Sequence, residues 1–79
     1  MKNLIKVERA RHNMSQQELA DILGITRQSV YAIEGGKFVP STFLALKIAK
    51  LFQVKVEDIF LLEESEQNFR NISPPAATN

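Results

Sequence analysis

The chain has 79 residues, of which 44% are apolar and 24% charged, and its formal net charge is +1. That length supports one small hydrophobic core and one domain. There is no cysteine, so disulfides and thiolate zinc sites are excluded. No apolar run approaches the ~20 residues of a membrane span, and the polar, charged N-terminus lacks a signal-peptide core, so a cytoplasmic protein is expected. Glu63, Glu64 and Glu66 against Arg70 contribute −2, which leaves +3 on residues 1–62. The expected folded part is therefore modestly basic, and a local positive patch matters more than the total for meeting phosphates.

Leu4, Ile5 and Val7 with Arg11 predict a first helix from residue 3 to His12, ended by Asn13, which tolerates positive φ. Ser15 and Glu18 have capping-box spacing, so a second helix starts at Gln16. Leu19, Ala20 and Leu23 recur at helical spacing, and Gly24 sits where a left-handed residue would end that helix. Thr26 caps a third helix with Val30 and Ile33 as its apolar stripe, and Gly35-Gly36 stops it. After a loop ending at Pro40, Ser41 caps a fourth helix, Thr42 to Phe52, with Leu44, Ile48, Leu51 and Phe52 on one face and Ala45 and Ala49 beside them. Glu57 and Asp58 favour the start of a short fifth helix near Val56 that buries Val56 and Ile59. Residues 63–79 turn acidic and then Pro-rich, a composition that predicts disorder, strongest over 66–79, with Phe69 and Ile72 as the apolar exceptions.

Taken together, Gln16, Ala20, Gly24, Val30, the run Ile33-Glu34-Gly35-Gly36-Lys37, Pro40-Ser41 and Leu46-Lys47-Ile48-Ala49 give a pattern that resembles the helix-turn-helix of the phage-repressor and Cro family of transcription regulators. The resemblance covers about Leu4 to Phe60. It implies an all-α, lambda-repressor-like domain of five helices over residues 1–62, with room for a short extended segment near the C-terminus. Ala20 has a mechanical reason, because two helices crossing steeply over a short turn need a small side chain where their backbones approach.

Along the third helix, Val30 and Ile33 define the core side and Gln28, Tyr31 and Ala32 fall opposite, with Arg27 flanking the first turn. The resemblance implies that these positions read base edges. Arg27 would read a base or serve as a phosphate contact or solvated charge. An amide such as Gln28 pairs bidentately with adenine, Tyr31 suits a base or a phosphate, and the Ala32 methyl suits a thymine methyl or simple helix formation. Gln16 opens the second helix, whose free N–H groups suit a phosphate, and Lys37 and Ser41 are further phosphate candidates. Arg9 and Glu34 fall where the family ties its first helix to the end of its third by an ion pair.

Two departures from the family pattern stand out. Thr42 and Phe43 replace a commonly buried leucine and a commonly polar residue, and Lys55 replaces a Ser-like cap, which predicts a short fifth helix. Phe43 and Leu46 then form an exposed apolar strip, expected with Phe60, Leu61 and Leu62 to join two copies of the chain. The resulting expectation is a homodimer that binds a palindromic operator in double-stranded DNA and represses transcription. An antitoxin-like or adaptor protein, holding a protein partner through residues 63–79, is the alternative. His12 is the only histidine and reads as a solvated helix-end residue. No Gly-rich phosphate loop or metal-ligand motif is present, so an enzyme is not expected, nor a cofactor or metal.

Overall fold

The computed structural model describes residues 1–69. Five helices follow one another, α1 (Ile5–Arg11), α2 (Gln16–Leu23), α3 (Arg27–Glu34), α4 (Thr42–Phe52) and α5 (Val56–Ile59). Two short strands, β1 (Lys2–Asn3) and β2 (Phe60–Leu61), pair antiparallel with Lys2 opposite Leu61 and Asn3 opposite Phe60. The all-α reading holds, with this ribbon added where the extended segment was expected.

Capping sets the helix boundaries. Ser15 Oγ accepts from the Glu18 N–H and the Glu18 carboxylate accepts from the Ser15 N–H, closing the capping box at 3.0 and 2.8 Å. Thr26 and Ser41 accept in the same way from the Ser29 and Leu44 N–H groups. Such caps satisfy backbone donors that have no partner inside the helix. At the other ends, Gly24 (φ 72°) closes α2 and Asn13 (φ 50°) follows α1. Gln53, at φ 57°, closes α4 in the left-handed region without being glycine. A Cβ at Gly24 would meet nothing within 4 Å, so a side chain there is opposed by backbone conformation alone.

The first helix is shorter than predicted. Residues 2–3 are spent on the ribbon, and the Asn3 side chain performs two tasks instead of entering a helix. Its Oδ1 accepts from the Ile5 N–H at 3.2 Å, and its Nδ2 donates to the Ile33 carbonyl at 2.8 Å. Asn3 thereby ties the start of α1 to the last turn of α3. The fifth helix is as short as its Lys55 cap predicts: four residues, with no side-chain cap bond.

The core lies where the five helices meet. Ile5, Leu19, Ala20, Val30, Ile33, Ile48 and Ile59 are each no more than 2% exposed, and Leu23, Ala49, Phe52 and Phe60 complete the cluster. Ala20 is fully enclosed, as a close approach of α2 to α3 requires. Phe60, expected between copies of the chain, instead packs into this core because pairing β2 with β1 turns its ring inward. His12 is solvated, yet its ring rests against Phe52 with centroids 5.3 Å apart, and its Nδ1 lies 2.8 Å from the Glu8 carbonyl.

The tail expectation meets described residues only over 63–69. There a 3₁₀ turn, Glu64–Gln67, is tied to the first residue, whose α-ammonium donates to Glu66 at 2.8 Å and to Glu63 at 3.3 Å. Arg70, Ile72 and the Pro-rich stretch lie outside the described residues. The hydrogen bond that the α-ammonium donates to Glu66 raises the pKa of the ammonium, and the same bond lowers that of Glu66. The ammonium's contribution is complete below its ordinary value near 8 and is lost as pH rises through the raised one. That of Glu66 is complete above about 4.3 and is lost as pH falls through the lowered value. The turn should thus be held best between about pH 5 and 8. Amide exchange of residues 63–67 checks this, with protection expected to fall on both sides of that window.

Candidate nucleic-acid interface

Helix α3 exposes Arg27, Gln28 and Tyr31 while Val30 and Ile33 lock its other side into the core. Three and four residues along a helix return to the same face, which is why Gln28, Tyr31 and Ala32 share one surface. Tyr31 is 65% exposed, so its hydroxyl and ring edge are free to meet a ligand. Ala32 is half-buried, and its carbonyl accepts from the Lys37 and Phe38 N–H groups at 2.9 and 3.2 Å. Those two bonds fold the loop after α3 back onto its last turn.

The start of α2 opens beside this face. Gln16, Gln17, Arg27, Gln28 and Tyr31 line one open depression of about 440 Å³. A second, of about 230 Å³, is lined by Lys6, Gln16, Tyr31, Glu34, Gly35 and Lys37. Gln16 and Tyr31 belong to both, so the surface is continuous. Three of the residues expected to read bases, Arg27, Gln28 and Tyr31, and two of those expected to hold phosphate, Gln16 and Lys37, are brought together, while Ala32 lines neither depression. Ser41 lines neither depression, and its hydroxyl is engaged as the cap of α4. Lys6 and Gln17 were not singled out from the sequence. Lys6 sits three residues before Arg9 on α1, a spacing that places both toward α3 and could have revealed it.

Arg9 and Glu34 hold the two elements in register. Arg9 Nε donates to Glu34 Oε2 and Nη2 donates to Oε1 at 3.1 Å, a two-pronged pair with side chains only 13% and 8% exposed. Arg9 Nη1 also donates to the Met14 carbonyl at 2.8 Å, and Gln16 Nε2 donates to Glu34 Oε1 at 3.0 Å. The pair therefore bolts α1 to the end of α3 and fixes the Gln16 amide at the mouth of α2. It also neutralises the one carboxylate lining the two depressions, leaving Lys6, Arg27 and Lys37 as the charges presented outward. Charge-assisted, two-pronged bonds of this type are short and orienting.

Away from this face, Phe43 and Leu46 on α4 are 72% and 54% exposed. Phe43 does not fold back within the chain; the Lys47 ammonium lies 5.5 Å from its ring centroid. Next to Leu46 is an apolar hollow of about 250 Å³, walled by Val39, Pro40, Ala45 and Val56 among others. Leu61 is half-buried and Leu62 exposed. Among the described residues no group of side chains could hold a metal ion, and no helix is long and apolar enough to cross a membrane.

The sequence profile of the helix-turn-helix family matches residues 5–59. A protein of Methanocaldococcus jannaschii, named as an uncharacterized HTH-type transcriptional regulator, is 56% identical over 66 residues, covering 84% of this chain and all of its own length. One of Bacillus subtilis with the same designation is 56% identical over 64 residues, 81% of this chain and 97% of its own. A third, from Archaeoglobus fulgidus, is 47% identical over 66 residues, 84% of this chain and 93% of its own.

Proposed function

The chain belongs to the helix-turn-helix family, and from that membership we propose that it is a sequence-specific DNA-binding regulator of transcription. It acts in the cytoplasm as a homodimer on a palindromic operator and represses. The observation that carries this reading is the exposed face of α3, with Arg27, Gln28 and Tyr31 facing outward beside the open N-terminus of α2. A helix fits the major groove of B-form DNA, where each base pair shows a distinct pattern of donors and acceptors. Gln28 offers both a donor and an acceptor, Arg27 a fork of donors, and Tyr31 a hydroxyl. The Gln16 amide, the free N–H groups at the start of α2 and Lys37 supply the phosphate contacts that set register. The Phe43 and Leu46 strip, with Leu61 and Leu62, joins the two copies and sets their α3 helices about 34 Å apart. Repression follows from DNA occupancy alone, which needs no second functional region.

Gln28→Ala tests the reading. Duplexes selected from a random library by the unsubstituted protein should be bound about 1–3 kcal/mol more weakly by the variant, with relaxed choice at one base position. Equal affinity and the same base preferences would mean that α3 is not the reading helix.

A further inference from the structure

The second depression contains a group to which the proposed function assigns no role. Lys6 projects from α1 onto its rim, with Lys37 from the loop after α3, the Gln16 side chain and Tyr31 around the same hollow. Among the described residues neither lysine lies within ion-pair distance of an acidic group, although both are exposed on a chain with nine acidic residues. The one carboxylate in the hollow, Glu34, is already satisfied by Arg9 and Gln16. A hollow of about 230 Å³ that presents two unpaired ammonium groups, an amide and a phenol hydroxyl, with its only carboxylate neutralised, has the chemistry of a monoanion site.

We propose that Lys6 and Lys37 together grip one backbone phosphate of the duplex, so that α1 contributes directly to DNA binding alongside α2 and α3. This rests on the DNA-binding reading above. Lys6 approaches from the α1 side and Lys37 from the α3 side, so the phosphate would sit over the Arg9–Glu34 junction and report that the two elements are in register. Because an ammonium meeting a phosphate carries no base information, Lys6 governs affinity and its salt dependence and leaves base choice alone.

The test is a salt titration on a random-sequence duplex of about 20 base pairs, using the unsubstituted protein, Lys6→Ala, Lys6→Arg and, as a control at an exposed lysine outside both depressions, Lys55→Ala. One phosphate contact contributes about 0.9 to the slope of log affinity against log salt, equivalent to about eightfold in affinity at 0.1 M salt. Lys37 still meets the phosphate in Lys6→Ala, so that variant should lose up to about that much, Lys6→Arg should recover most of the loss, and Lys55→Ala should match the unsubstituted protein. All four should show the same helical content, since Lys6 and Lys55 are exposed and the Lys55 side chain makes no cap bond. Base preferences from library selection should be the same for Lys6→Ala as for the unsubstituted chain. An unchanged slope and affinity in Lys6→Ala, or an altered base preference, overturns the proposal while leaving the DNA-binding reading in place. Failure of the unsubstituted protein to bind any duplex overturns both.

Discussion

Arg9→Ala should be the most damaging single substitution outside the apolar core, costing about 3–5 kcal/mol, the range for breaking one side of a buried pair. It removes both bonds to Glu34 and the bond to the Met14 carbonyl, and leaves a carboxylate that is 8% exposed with Gln16 as its remaining donor. A domain of this size has roughly 4–12 kcal/mol of total stability, so the variant would lose a large share of it. Thermal unfolding followed by circular dichroism should show a midpoint at least about 12 °C lower. Arg9→Lys should rescue only partly, because a lysine lacks the planar fork that meets both carboxylate oxygens. In the double variant Arg9→Ala with Glu34→Ala, the loss should be smaller than the sum of the two singles, since no buried charge is then left alone. A cost below about 1 kcal/mol would mean that the pair behaves like an exposed surface ion pair and does not hold α1 to α3.

Phe43→Glu should convert the protein to a monomer and reduce operator affinity by about 10²–10⁴-fold, the advantage that linking two half-site contacts provides. The ring is 72% exposed and contributes little to the core, so helical content and unfolding midpoint should be almost unchanged. The substitution would set two carboxylates against each other across a two-fold interface, where each patch meets its own copy. Sedimentation velocity and a binding titration on the selected duplex read both effects. If the variant remains dimeric and binds normally, the copies meet elsewhere, with the Leu61 and Leu62 segment the remaining apolar candidate. If the unsubstituted protein sediments as a monomer that binds one half-site, the homodimer is wrong. A protein partner that is recovered with the full chain and lost on truncation after Ser65 would favour the adaptor reading.

What the sequence made legible follows from how local each signal is. The Ser15 and Glu18 box, the Thr26 and Ser41 caps and the Gly24 terminus each involve residues within a few positions, so spacing alone predicts them. The stripes on α2, α3 and α4 were readable for the same reason, and with them the outward face of Arg27, Gln28 and Tyr31. The β1–β2 ribbon was not: two-residue strands carry no periodicity, and Lys2 meets Leu61 across nearly the whole described chain. That pairing shortened α1, drew Asn3 into capping and turned Phe60 inward. Lys6 escaped notice because its hollow is assembled from α1, α2, α3 and the following loop, and only their packing places it beside Lys37. Gln53 at positive φ was likewise unmarked, since a glutamine carries no local signal for the left-handed turn in which its N–H and that of Val54 donate to the Lys50 and Ala49 carbonyls.

The central claim is that DNA seats on the surface shared by α3 and the start of α2. Backbone amide shifts followed during titration with the library-selected duplex test it most directly. The largest changes are expected at Gln16, Gln17, Arg27, Gln28, Tyr31 and Lys37, with Ile48, Ala49 and Phe52, on the buried side of α4, unmoved. Changes confined to the Phe43 and Leu46 face, with residues 27–31 silent, would contradict it.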